Sequence, residues 1–188
     1  MNENRYLIIN ADDFGLSPGT NEAIIACYLA GSVSSTTLMV NMTATEEATR
    51  LARGNRGLGV GLHFNLTCGR PLSPPDHIKS LVDSDGIFYE RSVAEKKALS
   101  RQFNSDEIFI ELSAQWNHMV SSGLIPTHLD SHQHIHTFPI AFDVVAAFCV
   151  EHNIPVRIPT PWKPPNGATL KRRARMWMLK KMISRNMN

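Results

Sequence analysis

The chain has 188 residues, 43% of them hydrophobic, 19% charged and 7% aromatic. That balance excludes collagen-like, coiled-coil and disordered classes, and the length suffices for one buried core and a single domain over 1–188. The net charge of +2 hides a tail, because residues 171–188 carry seven basic and no acidic side chains, leaving −5 for the rest.

Basic tails can bind nucleic acid or anionic lipid. The body carries no matching basic surface, so the segment at about 168–188 reads as a solvated, helix-like tail and no nucleic-acid partner is expected. No apolar stretch reaches the roughly 18 to 20 residues of a membrane span, and Met1-Asn2-Glu3-Asn4-Arg5 does not open as a signal peptide. Cys27, Cys68 and Cys149 are odd in number, widely spaced and without C-x-x-C pairing, which reads as reduced thiols in a cytoplasmic protein.

In chain order, the apolar run Tyr6–Asn10 predicts a buried strand ending in the polar Ala11-Asp12-Asp13-Phe14-Gly15. Ser17-Pro18 opens a helix that stops at Gly31. Residues 34–40 are rich in β-branched side chains and predict a second strand. Thr43-Ala44-Thr45-Glu46 has capping-box spacing and starts a helix to about Gly54. Gly59–Leu66 reads as a third strand, and the stretch Thr67–Asn104 is long enough to be a lid or binding loop. Asn104-Ser105-Asp106-Glu107 starts a helix to Gly123, Pro126–Asp130 ends a further strand, Pro139–Val150 is an apolar helix, and Ile154–Pro159 a last strand. The alternation of strand and helix predicts a parallel α/β sheet or barrel. In such folds functional side chains gather at the C-terminal strand ends, where Asp12, Asp13, His63, Asp130 and His132 all fall.

The strongest local signal is His128-Leu129-Asp130-Ser131-His132-Gln133-His134-Ile135-His136, which holds four of the eight histidines in nine residues. If extended, it places His128, Asp130, His132, His134 and His136 on one face, spaced about 6 to 7 Å apart. One ion cannot take them all, so one or two would be ligands and the others would orient them, bind substrate or move protons. The adjacent carboxylates of Asp12 and Asp13 repel unless something positive lies beside them, and a divalent cation would let one bind metal while the other takes a proton. His63 supplies a third strand end. One Asp and two His from separate strands meet the needs of a catalytic metal with an open position. No G-x-S-x-G, P-loop, dinucleotide fingerprint or EF-hand loop competes, and neither Cys68 nor Cys149 has a nucleophile cue.

Three spaced segments, Asn10–Gly15, Gly61–Thr67 and Thr127–His136, together with Ser34-Ser35-Thr36-Thr37, resemble the YdjC-type carbohydrate deacetylases over roughly residues 5 to 160. The resemblance implies a distorted (β/α) barrel related to the polysaccharide deacetylases, incomplete here at its C-terminus, where family members continue to a His-Pro motif. It implies a homodimer that hydrolyses N-acetyl groups from acetylated sugars or short chitooligosaccharides with one divalent metal ion, Mg2+ or Zn2+. Carried over by position, Asp13, His63 and His132 would be the metal ligands and Asp12 the general base. His128, Asp130, His134 and His136 would contact substrate or support the ligands. Two other readings stay open, a metallophosphoesterase and a non-catalytic metal- or sugar-binding remnant of the family.

Overall fold

Four parallel strands, β1 (Asn10–Phe14), β2 (Ser35–Leu38), β3 (Gly59–Phe64) and β4 (Leu129–Ser131), lie side by side in chain order. The structure is a computed structural model that describes residues 7–159. Strand order that never turns back is single winding, as in the wall of a (β/α) barrel; a doubly wound sheet reverses at a switch point. Helix α1 (Pro18–Leu29) joins β1 to β2, and α2 (Thr45–Gly54) joins β2 to β3. Helices α3 (Arg91–Leu99) and α4 (Ser105–Ser121) lie between β3 and β4, and α5 (Pro139–Glu151) follows β4. Pairing continues past β4 in a parallel bridge between Leu129 and Val156, where Leu129 N–H donates to Pro155 O and Arg157 N–H to Leu129 O.

Strands covered on both faces read as apolar or β-branched runs. β2 is buried at all four positions, and Leu38, Leu62, Phe64 and Leu129 are fully buried in one contiguous core with Phe14, Leu112 and Phe148. The local helix signals hold where the cap is short and polar. Ser17 accepts the Thr20 N–H at the start of α1, and Asn104 accepts the Asp106 and Glu107 N–H groups at the start of α4.

Four expectations change. The strand is not Tyr6–Asn10: Ile9 O receives the Ser34 and Ser35 N–H groups, so pairing with β2 sets β1 at Asn10–Phe14 and leaves Leu7 and Ile8 80% and 76% exposed. The capping box at Thr43 does not form; the hydroxyl of Thr45 accepts the Met42 N–H, and α2 starts there. Residues 67–104 are a packed excursion with a helix of their own, because Ile78, Leu81, Val82, Phe88, Ala94 and Ala98 enter the core. Fully buried Glu111 of α4 pins this excursion by accepting the Leu72 and Ser73 N–H groups at 3.0 and 2.9 Å. The expected strand Ile154–Pro159 is reduced to the single bridge at Val156. The basic tail lies outside the described residues.

Candidate metal and catalytic site

Consecutive residues of a regular strand point to opposite faces, so two adjacent aspartates should not reach one site. β1 breaks that rule. Its register with β2 slips between Ala11 and Phe14, and Asp13 adopts a left-handed backbone (φ 68°), which Asp tolerates better than most residues. The bulge lets Asp12 and Asp13 join one network at the C-terminal end of the sheet. Just beyond it, Gly15 (φ 91°) passes so close to β2 that a Cβ would lie 2.7 Å from Met39 O.

Asp13 Oδ1 sits 3.1 Å from His63 Nε2 and 2.8 Å from His132 Nδ1. The three donor atoms lie within 4.8 Å of one another, the one such group of three among the described residues. Burial works against a charged His63, but the Asp13 and Asp130 carboxylates outweigh it and raise the ring to about 9. The imidazoles of His132 and His63 hold Asp13 well below the usual carboxylate range. Two imidazoles crowding one carboxylate oxygen is a donor set into which a divalent cation fits, with zinc or another late ion favoured on ligand softness.

Support for this group comes from a buried carboxylate. Asp130, 2% exposed, receives His63 Nδ1 on Oδ1 at 2.6 Å, so Nε2 is the nitrogen turned toward Asp13. Its other oxygen, Oδ2, accepts Arg157 Nε at 2.7 Å and also Arg157 Nη2. Burial opposes its charge, but His63 and Arg157 hold it below the usual range. Arg157 Nη2 reaches on to Asp12 Oδ1 at 2.6 Å, where Asn10 Nδ2 also donates at 2.8 Å. Asn10 is itself fixed by the Ser35 hydroxyl, which donates to its Oδ1 at 2.6 Å.

Sequence reasoning missed Arg157 and Asn10. Their signals were a lone arginine between Val156 and Ile158 at a predicted strand end, and a polar residue closing an apolar run. The extended histidine face also fails. β4 ends at Ser131, and Gln133 and His134 turn left-handed at φ 54° and 60°, so the alternation stops at His132. His134 is exposed. His136 is buried instead: it accepts the Ser131 hydroxyl at Nδ1 and donates Nε2–H to Arg157 O at 3.1 Å. Burial pushes its ring down to about 4, consistent with that neutral form. His128 is half-buried and lies over Gly61, where a Cβ would meet its ring at 2.6 Å. Burial raises both the Cys68 and the Cys149 thiols, the latter to about 11, so neither is poised as a thiolate nucleophile.

The model of the family described as YdjC-like protein matches residues 6–187. The chain belongs to the YdjC-like protein family. Its YdjC-like relatives include a carbohydrate deacetylase of Clostridium beijerinckii, 46% identical over 151 residues, which are 80% of this chain and 59% of that protein. A carbohydrate deacetylase of Geobacillus stearothermophilus is 46% identical over 81% of this chain and 59% of its own. A chitooligosaccharide deacetylase of Yersinia enterocolitica is 43% identical over 82% and 59%. The chain therefore spans about three fifths of the length of these curated relatives. Among solved structures, one from Enterococcus faecalis V583, proposed as a cellobiose-phosphate cleavage protein, superposes with a TM-score of 0.76 at 30% identity, covering 96% of this chain and 66% of that one. The YdjC-like assignment accords with the singly wound parallel α/β fold.

Proposed function

We infer that this chain carries the metal and base centre of a carbohydrate N-deacetylase acting on acetylated mono- or oligosaccharides. The observation that carries this reading is the Asp13, His63 and His132 group at the strand ends, in a family whose relatives are named carbohydrate and chitooligosaccharide deacetylases. Asp13, His63 Nε2 and His132 Nδ1 would hold one divalent cation, zinc or magnesium. The chemistry such a cation supplies is Lewis acidity toward an amide carbonyl and toward water.

Asp12 is the general base in this reading. It takes a proton from water as the water oxygen adds to the acetyl carbon, and that proton passes back to the amide nitrogen as the C–N bond breaks, giving acetate and a free sugar amine. With a cation bound, Asp130 would keep a hydrogen on His63 Nδ1 and Nε2 would give up its own to become the ligand atom. His134, exposed just after His132, and His128 are assigned to substrate contact. A reducing, cytoplasmic setting agrees with the three unpaired cysteines. Among the described residues no helix is long and apolar enough to cross a membrane. The homodimer rests on the family resemblance alone.

The test is acetate release from N,N'-diacetylchitobiose and N-acetylglucosamine by purified protein, chelated and then resupplied with zinc or magnesium. Metal-restored release is the expected result. A stoichiometric metal with no release from any acetylated sugar would replace this reading with binding alone.

A further inference from the structure

A left-handed backbone is costly for a residue with a side chain, so it persists only where the surroundings fix it from several directions. Asp13 holds φ 68°, Gly15 follows at φ 91°, and Leu16 N–H closes the turn on Asp13 O at 3.1 Å. The peptide between Phe14 and Gly15 stands at the centre of that turn and is gripped at both ends. Phe14 O accepts Met39 N–H at 2.8 Å, and Gly15 N–H donates to Asn21 Oδ1 at 2.8 Å. The first grip is backbone on backbone. The second comes from a side chain.

Asn21 lies in α1 and is 0% exposed. Asparagine is a poor residue inside a helix, and a buried amide is tolerated only when its polar atoms are bonded. Here all of them are. While Oδ1 takes the Gly15 N–H, Nδ2 donates to Ala44 O at 3.1 Å and to Glu47 Oε2 at 2.9 Å. One amide thus joins the turn that carries Asp13 to the start of α2. Without it the Gly15 N–H is buried unpaired, and the central peptide of the turn can rotate to find another partner. We propose that Asn21 is a positioning residue of the metal centre: by holding the Gly15 N–H it keeps the backbone of Asp13 left-handed, and so sets how tightly Asp13, His63 and His132 close on a cation. It bonds to none of those three side chains and acts on Asp13 through Gly15.

This inference rests on the cation being held as proposed above, but not on the reaction that the cation serves. The test uses the full chain and three readouts: zinc affinity by competition with a coloured chelator, the visible spectrum of bound cobalt(II), and amide hydrogen exchange by NMR without metal. Asn21→Ala is compared with Ser17→Ala, which weakens the same helix by removing its cap but leaves the Gly15 N–H bonded. In Asn21→Ala the Gly15 amide exchanges faster than the drop in urea stability accounts for, while the amide of Ile24 in the same helix follows that drop. Its zinc Kd rises by roughly 10- to 100-fold, the range for losing a group that orients a ligand, and its cobalt bands shift. Ser17→Ala keeps the zinc Kd and the cobalt bands of the wild type. If Asn21→Ala does not fold, Asn21→Leu carries the same comparisons, because it keeps the buried volume but not the acceptor.

A folded Asn21 variant with the zinc Kd and cobalt bands of the wild type overturns the proposal. So does an equal loss of zinc in Ser17→Ala, which would make the effect one of general stability, or a Gly15 amide that exchanges no faster once Asn21 is replaced. A wild type that takes up no zinc removes the cation reading and this inference with it. A wild type that binds zinc but releases no acetate removes the deacetylase reading alone, and the affinities still decide the role of Asn21.

Discussion

Asp13 holds an unfavourable left-handed backbone so that its carboxylate can meet His63 and His132, and Asp12 beside it meets a different partner. Their roles should separate on substitution. If Asp12 is the base proposed above, Asp12→Asn should lower acetate release by roughly 10²- to 10⁴-fold, the range for loss of a general base, with the fold intact by circular dichroism. His63→Ala loses turnover together with bound metal, and it also leaves Asp130 with one partner fewer. Gly15→Ala costs about 1 to 3 kcal/mol in urea unfolding, because its φ of 91° is strained for any side chain and the Cβ meets Met39 O. At this scale much of the site was legible: adjacent carboxylates after an apolar run and a histidine at a third strand end are readable chemistry. The bulge that aims both carboxylates was not, because it arises from register with β2. Arg157 was hidden for a related reason, since a charged side chain at a strand end becomes informative only when its distant partners are known.

The elements were legible where a short local interaction sets them. Ser17 and Asn104 cap as their sequence spacing implies, and Ser17→Ala should cost about 1 kcal/mol in thermal or urea unfolding. They were misread where a distant contact decides: Thr45 closes its own turn on Met42, Glu111 gathers the backbone at Leu72 and Ser73, and the histidine run folds back after His132. The turn that carries His136 makes a pH prediction. Its ring is near 4 when folded and has an ordinary value of 6.5. Between those values the unfolded chain binds more protons, so this contribution is full above about pH 6.5 and is lost as pH falls toward 4. It amounts to at most about 3 kcal/mol. Metal-free His63 runs the other way, full below its ordinary 6.5 and lost as pH rises through about 9. Comparing urea unfolding of the wild type and His136→Gln across pH 4 to 7 isolates the His136 part, and the variant should show the flatter profile.

Across the molecule, the site draws residues from β1, β3, β4 and the bridge after α5, so a cation bound there would tie together segments from Asn10 to Arg157. A ligand that binds only the folded state stabilises it by mass action, about 2.7 kcal/mol at a hundredfold excess over Kd. Zinc should therefore raise the melting temperature of the wild type, a chelator should reverse the rise, and His132→Ala should show neither effect in differential scanning calorimetry. The parallel α/β class was legible because strand and helix signals alternate throughout; single winding needed the pairing itself, which sets β1 through β4 in chain order.

In the proposed centre one cation is held by Asp13, His63 and His132, with Asp12 left beside it as the base. The most direct measurement is bound metal per chain, by elemental mass spectrometry, in the wild type, Asp12→Asn and Asp13→Asn after equal zinc loading. One zinc per chain in the wild type and Asp12→Asn, with its loss in Asp13→Asn, is the predicted result. Retention in Asp13→Asn with loss in Asp12→Asn would contradict the account and exchange the roles of the two aspartates.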